Sequence, residues 1–190
     1  VDFSSGTTAL SCHDTAQASS EITFDSVKIT GGTFQGGAGT IKIRSETTGG
    51  FCWQHTAGTY THQDGTVEII HGTDSHIQEN TFYNLKINHS SSTAATHWRD
   101  KSGNTCTVAN DLTIQEGRFN MDTAGDTLTV SNKMIVESGG HFNHDEDASG
   151  THNIATLQVQ DSGTYDATSG DTTFTKEQFE LFMSEAKSGT

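Results

Sequence analysis

Apolar residues along this chain alternate with polar ones in short runs, and the runs return at a steady interval. Val27-Lys28-Ile29, Ile41-Lys42-Ile43, Val67-Glu68-Ile69, Leu112-Thr113-Ile114 and Leu157-Gln158-Val159 all read apolar, polar, apolar, the period of a strand buried on one side. A second phrase follows several of them: Gly, one polar residue, then an aromatic. It occurs as Gly32-Thr33-Phe34, Gly117-Arg118-Phe119, Gly140-His141-Phe142 (after Met134-Ile135-Val136) and Gly163-Thr164-Tyr165, with a fifth copy, Gly58-Thr59-Tyr60, preceded by Trp53. Phe119, Phe142 and Tyr165 are 23 residues apart each time (142 − 119 and 165 − 142). A fixed period of this size marks a solenoid of stacked coils. Phe34 and Tyr60 are 26 apart and Tyr60 and Phe82 are 22 apart, so coils vary by a few residues. The gap of 37 from Phe82 to Phe119 exceeds one coil, and Ser90-Ser91-Ser92-Thr93-Ala94-Ala95-Thr96 is expected to protrude within it as a loop.

One coil cannot fold alone. Ordering its backbone costs about 1–2 kcal/mol per residue, while each of its handful of apolar side chains contributes about 1.5–3 kcal/mol. Stacking supplies the remainder, because each strand then pairs with the coils above and below and like side chains lie over like. Two inward columns are expected, one of Val27, Leu112, Met134 and Leu157, the other of Phe34, Tyr60, Phe119, Phe142 and Tyr165. The Gly before each aromatic suits a corner that needs positive φ or close backbone approach. Coils of 20 to 25 residues with three short strands predict an all-β fold, a parallel β-helix over 21–174 with six or seven turns and a length of roughly 30 Å. Residues 1–20 are small and polar and read as a lead-in or incomplete first turn. Over 175–190 the pattern changes: Thr175 and Gln178 form a capping box, and Phe179, Phe182, Met183 and Ala186 fall on one face of a short amphipathic helix, expected to cover the open end of the coil or to dock on another subunit.

Composition sharpens this picture. Thr is abundant and Pro absent, in keeping with strands that all need their amide N–H. Twenty-four acidic residues against 10 Lys and Arg give a formal charge of −14, which repels phosphate backbones and argues against nucleic acid as a partner. No run approaches the roughly 20 apolar residues of a membrane span. Val1 to Gly6 lack the basic start and apolar run of a signal peptide, and a chain opening on Val is expected to be processed or part of a longer one. Cys12, Cys52 and Cys106 are widely spaced with no CxxC pair, the pattern of small buried apolar residues rather than of a zinc ribbon or redox motif.

The phrases Phe82-Tyr83-Asn84-Leu85-Lys86-Ile87, Asn110-Asp111-Leu112-Thr113-Ile114 and Gly65-Thr66-Val67-Glu68-Ile69-Ile70 resemble the right-handed parallel β-helix repeats of phage fibres, tailspikes and capsid decorations, and of bacterial surface adhesins, over about 150 residues. Such repeats carry packing rather than active-site residues. The resemblance implies a non-enzymatic structural virion component, a phage fibre or capsid-decoration protein at the virion surface. Its implied partners are other virion proteins, further copies of itself in a homotrimer, and a host-surface glycan. Two alternatives are a bacterial extracellular adhesin at the cell surface and a polysaccharide-degrading tailspike fragment.

Candidate chemistry is sparse. His141 and His144, followed by Asp145-Glu146-Asp147 and His152, form the best metal candidate, yet residues three apart in a strand point to opposite faces, and solvated loop positions are the simpler expectation. Asp122 with Asp126 and Asp161 with Asp166 are the carboxylate pairs a glycosidase would need, but acidic residues are numerous enough for such pairs to arise by chance. Neither a catalytic motif nor a cofactor motif is expected. Of the aromatics able to stack on sugars, Tyr60 matches the repeating core position, Trp53 and Tyr83 carry no further signal, and Trp98, flanked by His97 and Arg99 beside the Ser-rich segment, is the candidate surface contact.

Overall fold

The computed structural model describes residues 1–9, 20–44, 50–79, 81–99, 105–121, 125–144, 150–166 and 171–174. Within them the chain winds as a parallel β-solenoid, every strand pairing being parallel. A partial coil gives β1 (Asp2–Phe3) and β2 (Thr7–Ala9). The following coils run β3 (Glu21–Phe24) and β4 (Val27–Gln35), then β5 (Thr40–Ile43) and β6 (Phe51–Thr61), then β7 (Thr66–Ile69), β8 (Ser75–Gln78) and β9 (Thr81–Phe82). Next come β10 (Asn84–Asn88), β11 (Ala95–Trp98) and β12 (Thr105–Val108), then β13 (Asp111–Met121) and β14 (Thr127–Val130). The last two coils hold β15 (Lys133–His144) with β16 (Thr151–Ile154), and β17 (Leu157–Val159), β18 (Thr164–Asp166) and β19 (Asp171–Phe174). The long strands β4, β6, β13 and β15 bend round a corner, so each serves two faces.

Three faces result. The first stacks β3, β5, β7, β10, the start of β13, the start of β15, and β17, seven strands joined by six coil-to-coil steps. Its inward positions form two unbroken files: Ile22, Ile41, Val67, Leu85, Leu112, Met134, Leu157 and Phe24, Ile43, Ile69, Ile87, Ile114, Val136, Val159. The second face holds Val27, Trp53, Ile77, Trp98, Met121 and His144 in one file and Ser75, Thr96, Phe119, Phe142 and Tyr165 in another. On the third face Phe82, Val108, Val130 and Ile154 are in register. Most of these side chains are fully buried in one continuous core.

The structure corrects the expected columns. Val27 belongs to the second face, over Trp53, not to the file of Leu112. The aromatic column divides in two: Phe34 pairs with Tyr60, ring centroids 5.7 Å apart, on the third stretch of the first two coils, whereas Phe119, Phe142 and Tyr165 stack on the second face at 6.2 and 5.1 Å. The Gly phrase marks a corner in both places, but two different corners. Gly6, Gly32 and Gly58, all at positive φ, turn the chain after the second face, while Gly117 pairs with Gly140 at the turn into it. A methyl group on Gly32 would lie 2.3 Å from the Gly6 carbonyl oxygen, and φ there is +65°. Gly32→Ala is therefore expected to destabilise the first coils by about 1–3 kcal/mol, read as a lower urea midpoint with an unchanged m-value.

The 37-residue gap also resolves differently from expectation. It contains a complete extra coil whose aromatic position is occupied by Thr96, in register with Phe119. The polar excursion is confined to Ser90–Thr93, because β11 begins at Ala95 and Ala94, Ala95 and Thr96 are buried. Cys52 and Cys106 are buried free thiols, and burial pushes the Cys52 thiol up to about 11. Cys12 and the helix expected over 175–190 lie outside the described residues.

Candidate functional site

Alternation along each strand gives the solenoid three outer surfaces of different chemistry. On the first, Lys42 bridges Glu21 at 2.9 Å and Glu68 at 3.8 Å, and Lys86 reaches Glu68 at 3.1 Å. Asn88 Nδ2 donates to the same Glu68 carboxylate at 2.9 Å. Two cations thus meet two anions, and this ladder neutralises itself. Over β9, β12, β14 and β16 the third outer surface is uncharged: Thr81, Thr107, Thr129 and Asn153 form one file, Thr105, Thr127 and Thr151 the next, which β19 continues with Asp171 in register with Thr151.

The second outer surface is the one that combines aromatic, cationic and amide groups. Lys28 and Gln54 lie side by side, as do Gln54 and Gln78. Beside them run His76, His97, Asn120, Asn143 and Asp166, and then Arg118, His141 and Thr164. The His76 and His97 rings are 5.4 Å apart, and Phe51, 39% exposed, sits 5.5 Å from His76. Arg99 Nη2 donates to His76 Nε2 at 3.1 Å. An acceptor nitrogen carries no proton, so His76 in this contact is the neutral Nδ1–H tautomer.

Trp98, expected at the surface, is fully buried. Its indole packs in file between Ile77 and Met121, and Nε1 donates to the Glu79 carbonyl at 2.8 Å. The correction has a simple cause: with Trp98 inward, its neighbours one residue away must point outward, and His97 and Arg99 are the partly exposed pair of that trio. Trp53 is likewise buried, Tyr60 stacks on Phe34, and Tyr83 lies half-buried against the His62 ring at 5.4 Å. Phe51 and His76 were not singled out from sequence. Alternation alone points the wrong way for Phe51, because Trp53 two residues on shares its parity; a register shift between Phe51 and Trp53 puts Phe51 beside His76 on the outside.

Histidine does most of its work inside. His71 Nε2 contacts Ser75 Oγ, Ser75 donates to Cys52 Sγ at 3.4 Å, and that thiol donates to the His76 carbonyl at 3.4 Å. His89 Nδ1 donates to the His71 carbonyl at 2.8 Å, which leaves Nε2 to accept from Thr96 Oγ1 at 3.0 Å. Further along the coil His55 Nδ1 meets Glu79 Oε2 at 2.6 Å while Nε2 donates to the Gly58 carbonyl at 3.2 Å, so imidazole and carboxyl share one proton. At the other end His144 Nδ1 and His152 Nε2 are 2.5 Å apart, and His152 Nδ1 is 2.9 Å from the Tyr165 hydroxyl. Burial, reinforced by the neighbouring imidazole, lowers both His71 and His152 to about 4. Burial also lowers His89.

His141 and His144 do face opposite ways, His141 outward and His144 inward, and it is His152 that joins His144. Neither His144 nor His152 is the solvated loop residue expected, and Asp145 to Asp147 lie outside the described residues. Among the described residues no three His, Cys, Asp or Glu side chains gather as a metal cage. Asp126 is interior and Asp122 lies outside the described residues; Asp161 is exposed in the turn after β17, and Asp166 is half-buried on the second outer surface. No described helix is long and apolar enough to cross a membrane.

Fold and surface together define a parallel β-solenoid protein with one paired-charge face, one threonine face and one mixed face able to make contacts. No protein-family model matches the chain, and no curated protein and no solved structure matches it. The likeness to fibre, tailspike and adhesin repeats therefore stands on architecture.

Proposed function

We propose that the protein is a non-enzymatic structural component of a virus particle, a phage fibre or capsid-decoration element of right-handed winding, which stands at the virion surface and touches host glycan through its second outer face. The observation that carries this reading is the division of labour between inside and outside. Histidines that burial keeps from taking up a proton, His71, His89 and His152, are spent on the interior of the coil, while Phe51, His97 and Arg99 project from one sheet surface. Stacked on a rod, such side chains offer a rigid, repeating contact strip, and aromatic faces with planar hydrogen-bonding groups suit sugar rings. Other virion proteins and, in a homotrimer, further copies of the chain are the partners this reading carries.

The experiment is immunogold labelling of purified particles and of bacterial cells with an antibody to this chain. Gold on the particle surface is the expected result. Gold on cell envelopes in uninfected culture would replace the virion reading with a bacterial adhesin. Shortening of surface polysaccharide by the purified protein would replace it with a tailspike fragment, and a monomeric mass in solution would remove the trimer.

A further inference from the structure

The corner between the first and second faces is built differently in the middle of the rod. β13 and β15 run through it without a break, but the two coils before them interrupt the strand there, between β7 and β8 and between β10 and β11. Each interruption holds a buried histidine, His71 in one and His89 in the other, with ring centroids 4.5 Å apart. The file that carries Phe119, Phe142 and Tyr165 farther on carries Ser75 and Thr96 in these coils. We propose that this corner is an acid-operated latch: protonation of His71 and His89 frees the two turns that carry them and bares the Cys52 thiol, while the rest of the coil stays wound.

Contacts inside the corner lead from the rings to the thiol. His71 Nε2 meets Ser75 Oγ, and Ser75 donates to Cys52 Sγ at 3.4 Å. His89 is tied to the same turn through the His71 carbonyl at 2.8 Å, and its Nε2 accepts from Thr96 at 3.0 Å, so a proton on Nε2 takes the place the Thr96 hydroxyl now fills. Among the described residues, Asp74 is the carboxylate that faces both rings and favours their protonation. Glu116 gives its carbonyl to the His89 amide and carries its carboxylate over Gly139, while Arg118 meets His89 through its backbone and is exposed at its side chain. Burial outweighs the favourable contacts at both rings, and at His71 the second imidazole adds to it. The closed corner therefore holds the rings neutral. Once a turn lifts, its ring meets water and takes a proton at the ordinary value, so each pH unit below 6.5 favours the open form by up to about tenfold per ring. Little else has to move. Ser90, Ser92 and Thr93 are exposed already, and the first-face files run apolar and unbroken past the corner, so the turns can open locally without parting the sheet.

The test treats the full chain with a dipyridyl disulfide, which reacts with thiols in acid as well as in neutral solution. Labelling of Cys52 and Cys106 is followed separately by peptide mass mapping, each rate taken relative to that of glutathione at the same pH. From about pH 7.5 to about pH 5 the Cys52 rate should rise by about tenfold or more, while the Cys106 rate and the far-UV circular dichroism stay level. Cys106 is equally buried, on the third face, and so reports unwinding of the coil as a whole. The double variant His71→Asn, His89→Gln keeps hydrogen-bonding groups without a titrating ring, and its Cys52 rate should no longer depend on pH. A second measurement needs no substitution: protection of the Ser90 amide, which donates to the His71 carbonyl, against hydrogen exchange should fall over the same range while that of Ile87 holds. Equal rises at Cys52 and Cys106 would mean that the coil unwinds as one and would overturn the latch. So would a level Cys52 rate in the parent, or a rise that survives in the double variant.

Discussion

Acidification from about pH 7.5 to about pH 4 should unfold the solenoid ahead of its carboxylates. His71 and His152 titrate near 4 in the folded protein against an ordinary value of 6.5, because burial penalises the imidazolium and a second imidazole faces each, His89 in one case and His144 in the other. His89 is shifted the same way. The folded state therefore resists protons that the unfolded chain accepts. The sign follows: stability from these groups is complete above pH 6.5 and is lost as the pH falls from 6.5 through 4. With allowance for residual solvent screening, His71 and His152 each account for on the order of 2 kcal/mol, a large share of the roughly 5–15 kcal/mol that holds an ordinary domain together. Urea midpoints measured across this range should fall steeply. In His152→Leu the acid midpoint should move to lower pH, even though His144 loses its partner and stability at neutral pH changes. A flat profile from pH 7 to 4 would show that these imidazoles are not sealed in the core.

The second large effect is at Trp98. Its side chain is fully buried and its indole N–H is satisfied by the Glu79 carbonyl, so truncation removes packing on two neighbouring coils and a hydrogen bond together. Trp98→Ala should cost about 3–5 kcal/mol, and Trp98→Phe, which keeps most of the volume, about 1–2 kcal/mol. Chemical denaturation monitored by far-UV circular dichroism reads both. Had Trp98 been a surface contact, both substitutions would lie within about 0.5 kcal/mol of the parent.

These two sites also show what could and could not be read from the chain. Strand alternation and the 23-residue interval predicted parallel coils with three strands each, and the files through Leu112, Met134 and Leu157 and through Phe119, Phe142 and Tyr165 are where the pattern put them. The Gly-x-aromatic phrase encodes a bend and the inward residue beyond it, but a bend has no label saying which of three corners it makes. That is why Phe34 and Phe119 were assigned to one column although they lie on different faces. Substitution hid a whole coil: Thr96 and Ser75 replace the aromatic, and the Ser-rich segment then looked like an insertion. The buried histidines do carry a signal in the sequence. His71 follows Ile69 by two, His89 follows Ile87 by two, His144 follows Phe142 by two and His152 precedes Ile154 by two, so each has the parity of a core residue. Polarity argued for solvent, and pairing between adjacent coils overruled it.

The constant spacing from Phe119 to Phe142 to Tyr165 has one more consequence. A duplicated 23-residue block inserted there would keep every file in phase, since each strand needs only an equivalent strand on either side. The molecule is in this sense a ruler with interchangeable graduations, each worth about 4.8 Å, and slippage of the encoding message is a ready route to longer or shorter versions carrying the same three faces.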